Sequence, residues 1–150
     1  MVNLKMSAKP ESRFWHALRD GVTDVHWTRI ESWASPGVPD LNGCASFGEF
    51  WIELKVTKNN RIKLSPHQIA WHLTRSRHGG RSYILARGGG RDPLYLFSGF
   101  QAKSLKDNKI SEIVPMAKIE HPYDWTRLMT CIGDDRPKPK PVQVQDDKIR

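Results

Sequence analysis

Alternation of apolar and polar residues with a period of two is sharpest over residues 49–56. Phe50, Ile52, Leu54 and Val56 fall on one side of an extended segment, and Glu49, Trp51, Glu53 and Lys55 on the other. The pattern predicts a strand with one buried apolar face and one face that gathers charge. Glu53 and Lys55 point the same way, about 6.6 Å apart at a rise of about 3.3 Å per residue, so they can share a site. Helical spacing appears over residues 10–20, where Phe14, Trp15 and Leu18 form an apolar stripe, Pro10 suits the first turn and Gly21 the exit. A second helix is predicted over 66–78, opened by Ser65-Pro66 and stopped by Gly79-Gly80. Ile69, Ala70 and Leu73 read as its core side; Gln68, His72 and Arg75 share a polar stripe at i, i+4, i+7.

The remaining pattern fills in around these elements. Residues 24–33 are rich in β-branched and aromatic types and read as a strand. Residues 82–86 read as a buried strand with a hairpin partner at 94–97, joined across Gly88-Gly89-Gly90. Residues 98–133 are patterned more weakly: a helix near 99–106, a strand near 110–115 and a helix around 122–131 with Trp125 and Leu128 inward. Residues 134–150, with Pro137, Pro139 and Pro141 between lysines, read as a flexible tail. The expected fold is therefore α/β: a folded domain over 1–133 with a central mixed sheet of four to five strands, flanked by the 10–20 and 66–78 helices in the order αβββαβ.

Upstream of the alternating strand, Pro39 forces Val38 into an extended conformation and withholds a ladder donor, so Asp40 enters at a strand start or edge. Thirteen residues separate Asp40 from Glu53, room for a short strand, the Asn42-Gly43 turn and a return that brings the two carboxylates together. Two more acids are candidates for the same cluster. Glu11 lies on the apolar stripe of the first helix, where the helix dipole also favours it. Glu31, near the end of the 24–33 segment, is the second candidate and has Arg29 and Arg13 as alternative partners.

Charge adds a partner to this picture. The net charge is +8, and residues 134–150 hold five basic and four acidic side chains, so seven of those charges belong to residues 1–133. A basic folded body implies a polyanion partner as readily as a soluble surface. No stretch is apolar enough for a membrane span, and the N-terminus lacks the order of a signal peptide. Cys44 and Cys131 form no Cys-x-x-Cys pair, which predicts free, reduced thiols and an intracellular, cytoplasmic protein.

Pro39-Asp40 followed by Glu53-Leu54-Lys55, with Glu11 in an N-terminal helix and Leu64-Ser65-Pro66-His67-Gln68 opening the next one, resembles the PD-(D/E)XK nucleases. The similarity is to their small phage, VRR-NUC-like or Holliday-junction-resolvase-like members and covers about residues 10–88. It implies a restriction-endonuclease-like core and a Mg²⁺-dependent DNA endonuclease, with Mn²⁺ able to substitute. It also implies structure-selective rather than sequence-specific cleavage in phage DNA processing, recombination or repair, and in many relatives a homodimer. The implied catalytic set is Asp40, Glu53, Lys55, Glu11 and Gln68; the metal would be held by Asp40, Glu53, Glu11 and the backbone carbonyl of Leu54. Hard divalent cations favour such oxygen donors. Phosphate contacts are expected from Arg13, Lys58, Arg61, Lys63, His72, Arg75 and Arg87. The alternative expectation is a non-catalytic nucleic-acid-binding module that keeps the nuclease fold.

Overall fold

β3 (Gly48–Val56) runs between an antiparallel neighbour, β2 (Leu41–Ala45), and a parallel one, β4 (Ser82–Arg87). A parallel pair needs a connection that recrosses the sheet, and α2 (Pro66–Arg77) supplies it. The computed structural model describes residues 9–31 and 34–139. Within them, α1 (Pro10–Gly21) leads into β1 (His26–Arg29), and β5 (Leu94–Ser98), α3 (Ala102–Asp107), β6 (Ala117–Ile119) and α4 (Trp125–Asp134) follow β4. The sheet order is β1-β2-β3-β4-β5-β6, with only β3 and β4 parallel. The α/β class and the αβββαβ start are as expected. The sheet has six strands among the described residues rather than four or five, because β6 joins the outer edge through the Leu94–Ile119 to Leu96–Ala117 register.

Each face of the sheet has its own core. Phe50, Ile52 and Leu54 of β3, with Leu85, Leu94 and Leu96, pack against Phe14, Trp15 and Leu18 of α1 and Leu128 and Ile132 of α4. On the opposite face Ile84, Ala86 and Phe97 pack with Ile62, Leu64, Ala102 and Leu105. Burying each large side chain contributes about 1.5–3 kcal/mol, so covering both faces is what makes this sheet stable. It also means that the charged side of β3 is not open: Glu53 and Lys55 stand beside Ile84 and Ala86 of β4, on the α2 side.

Several local expectations are corrected. α2 does not turn Ile69, Ala70 and Leu73 fully inward. Its buried residues are His72 and Ser76, with Ile69 half-buried and Ala70 exposed. Ser76 is small enough to let Gly99 approach, since a Cβ on Gly99 would lie 2.5 Å from the Ser76 hydroxyl. β1 covers only 26–29, and residues 32 and 33 of the expected strand lie outside the described residues. Residues 110–112 form a 3-10 turn, with the strand following at 117–119. The tail boundary expected at 134 falls on the last residue of α4. Asp135 beyond it is fastened, accepting from Arg81 Nε at 3.1 Å and from the Tyr83 hydroxyl at 2.7 Å. Residues 140–150 of that tail lie outside the described residues.

Candidate active site

β2 pairs with β3 only as far as Leu41 opposite Ile52, so the last four residues of β3 have no partner on that side. Asp40 fills the gap. Its backbone N–H donates to Glu53 Oε2 at 3.3 Å, its Oδ2 accepts from the Leu54 N–H at 2.9 Å, and its carbonyl accepts from Ile30 N at 2.7 Å. The two carboxylates, thirteen residues apart in sequence, are thereby fixed side by side where the sheet splits. The split opens a cleft of about 320 Å³ lined by Asp40, Glu53, Lys55, Glu11, Arg29 and Trp15.

The N-terminus of α2 closes the cluster from the other side. Ser65 caps the helix, its hydroxyl accepting from Gln68 N at 3.1 Å, while Gln68 Oε1 accepts from Ser65 N at 3.0 Å. The same Oε1 accepts from Lys55 Nζ at 3.2 Å, and Gln68 Nε2 donates to Glu53 Oε1 at 2.8 Å. Lys55 Nζ lies 3.6 Å from Glu53 Oε1. One amide therefore caps a helix, holds a lysine and orients a buried acid, and its position is set by helix geometry rather than by a free side chain.

Burial gives the cluster its electrostatics. Glu53 is 3% exposed. Desolvation, then the charge of Asp40, push its carboxyl up to about 8, against the pull of Lys55. Burial likewise raises Asp40, opposed by the Leu54 N–H and the charges of Lys55 and Arg29. Even with Lys55 and Arg29 nearby, burial keeps the Glu53 proton on near neutral pH, so the site lacks the positive charge that both carboxylates would need to ionise together. A hard divalent cation fits that deficit and this oxygen donor set. Among the described residues no group of three or more His, Cys, Asp and Glu is gathered that could hold a metal ion.

Other expected residues divide. Glu11 is exposed but lines this cleft, and with Lys55, Gln68 and Lys63 it also lines an adjoining one of about 530 Å³. Glu31 is exposed past the end of β1 and does not line the cleft. His72 is not available to a phosphate: it is fully buried, its Nδ1 is 2.5 Å from Ser82 Oγ, and burial followed by the Lys55 charge lowers it to about 4. Arg75 lays its guanidinium over Trp71 and Trp51, and the half-buried Arg87 lays its own over Phe14 at 4.7 Å. Arg13, Lys58, Arg61 and Lys63 are exposed. Lys58 and Arg61 flank a tight turn in which Asn59 and Asn60 both have positive φ, and Asn60 fastens it to Ser111 at 2.6 Å. The cleft residue that sequence reasoning missed as part of the site is Arg29. It is placed there by the β1–β2 register, which sets Arg29 opposite Leu41, next to Asp40, and which the sequence pattern alone does not reveal.

The chain matches no family model and no curated protein. No helix of the described residues is long and apolar enough to cross a membrane.

Proposed function

We propose that this chain is a metal-dependent phosphodiesterase with a restriction-endonuclease-like core. Within that class we propose a Mg²⁺-dependent DNA endonuclease of the PD-(D/E)XK type, structure-selective and working inside the cell on DNA. The observation that carries the reading is the convergence of Asp40, Glu53, Lys55 and Gln68 at the split between β2 and β3. Asp40, Glu53 and the Leu54 carbonyl are the residues that would hold the metal, with Glu11 at the cleft rim in the outer shell. A bound Mg²⁺ supplies Lewis-acid polarisation of the phosphodiester and a more acidic water. Lys55, held by Gln68 beside Glu53, positions the attacking water and offsets negative charge that develops on the phosphoryl group. Gln68 keeps both in place, and Lys63 and Arg29 at the two cleft margins attract the backbone phosphates on either side.

The test is a panel of labelled junctions, flaps, nicked and linear duplexes and single strands, each incubated with Mg²⁺ or Mn²⁺. Cleavage that disappears in Asp40→Ala and Lys55→Ala while DNA binding persists is the expected result. Binding without a cut on any substrate selects the alternative, a non-catalytic binding module.

A further inference from the structure

We propose that the cleft between α2 and the turn at Pro36 and Gly37 is a stacking subsite for an unpaired base of the bound DNA strand. It rests on the nuclease reading for why a strand lies there, but not for its binding chemistry. Trp51 precedes Glu53 by two residues on β3, so its indole stands on the same sheet face about 6.6 Å along the strand from the acid. Trp71, three residues after Gln68 on α2, meets Trp51 with ring centroids 5.3 Å apart at 60°. The Arg75 guanidinium covers Trp71 at 4.6 Å and Trp51 at 5.4 Å. Both indoles are only half-buried, and Trp71 and Arg75 open into a cleft of about 730 Å³ walled by Pro36, His67 and His78. Among the described residues none that lines it is acidic.

That volume lies within the range of small-ligand sites. Aromatic planes interleaved with cations hold successive bases of a single strand, whereas in a duplex the base faces are already stacked and unavailable. The wall is preformed: Gly37 has φ +88, and a Cβ there would lie 2.3 Å from the His67 carbonyl oxygen, so the turn is clamped onto the first turn of α2. A strand with its scissile phosphate at Glu53 and Lys55 thus finds its neighbouring base beside Trp71. The substrate class this selects is DNA with an unpaired segment next to the cut, as in a flap, a splayed junction or a single strand.

Fluorescence anisotropy in EDTA, where no strand is cut, reads the subsite directly. The wild-type protein is titrated with a labelled oligothymidylate, an abasic strand of equal length and a duplex. The expected result is about tenfold tighter binding of oligothymidylate than of the abasic strand, since stacking contributes about 1–3 kcal/mol per base. Trp71→Leu and Arg75→Gln should each remove most of that difference, and Trp71→Leu, which keeps every charge, should change duplex binding by less than about threefold. Equal affinity of the wild type for oligothymidylate and abasic strands overturns the proposal, and this arm needs no variant to fold. So does an unchanged difference in both variants, each confirmed folded by its melting curve. A chain that discriminates the two strands but never cuts keeps the subsite and loses the nuclease reading; one that cuts without discriminating loses the subsite alone.

Discussion

Gln68 Nε2 donates to Glu53 Oε1 at 2.8 Å, and the other end of the same amide accepts from Lys55 Nζ at 3.2 Å. Because Gln68 is also the third-position partner of the Ser65 cap at the start of α2, helix stability and site geometry depend on one side chain. Gln68→Ala should therefore lower Tm by about 2–4 °C, from loss of about 1 kcal/mol of capping energy. It should also lower kcat by about tenfold or more, with KM for DNA little changed. A thermal melt combined with steady-state kinetics on the best substrate checks both. A fall in Tm alone reduces Gln68 to a helix cap.

Asp40→Asn should separate stability from function. The amide oxygen can still accept from Leu54 N, as Asp40 Oδ2 does now, but the negative charge that raises Glu53 is gone. Metal-free protein at about pH 8 should become more stable by about 1 kcal/mol, while cleavage falls by about 10³-fold. Urea midpoints and initial rates measure the two sides. A destabilised Asn variant would mean that Asp40 and Glu53 do not repel each other in the folded chain.

Much of this site was legible because β3 obeys a strict two-residue period: the pattern put Glu53 and Lys55 on one side, and Pro39 marked Asp40 as an edge residue. Ser65-Pro66 likewise marked the start of α2, but only the resemblance to the nuclease pattern singled out Gln68 in that helix as a site residue. His72 was misread because periodicity alone cannot tell a polar stripe facing water from one facing a sheet. In α2 the inward side is polar, and Ser82 on β4 supplies the partner that makes burial of His72 tolerable. Arg29 and the Trp51–Trp71–Arg75 stack were invisible for a different reason, since they depend on strand register and on the roll of α2, both set by tertiary packing. The extra strand β6 is three residues long, too short for any alternating pattern to reveal.

The exposed cations predict a salt dependence for the proposed DNA binding. Lys58 and Arg61 are held on a turn fastened to Ser111, and Lys63 lines the cleft beside Lys55. If all three meet phosphates, replacing them together by Ala should reduce the slope of log K against log salt by about 2–3, at about 0.9 per contact on duplex or 0.7 on a single strand. Titrations at several salt concentrations give the slope. An unchanged slope would place the DNA path away from this side of the sheet.

The pH dependence of stability follows from two buried groups that oppose each other. Glu53 ionises at about 4.5 in the unfolded chain and about 8 in the folded one. Between those values the folded state binds the extra proton, so this group lowers stability as pH rises. His72 runs the other way: its ordinary value of 6.5 falls to about 4 on folding, so the unfolded state binds the extra proton and stability rises with pH up to about 6.5. The two slopes offset below that point, and above it Glu53 acts alone. Metal-free protein should therefore lose just under about 2 kcal/mol between about pH 6.5 and 8, a decline absent in Glu53→Gln. Millimolar Mg²⁺ should reverse the decline, because the cation binds the ionised carboxylates and its affinity rises as they lose their protons. Denaturation curves across this pH window, with and without Mg²⁺, make the measurement. A flat profile in the wild type, or one that Mg²⁺ does not lift, would show that Glu53 is not the buried, charge-starved acid on which the proposed cleavage mechanism depends.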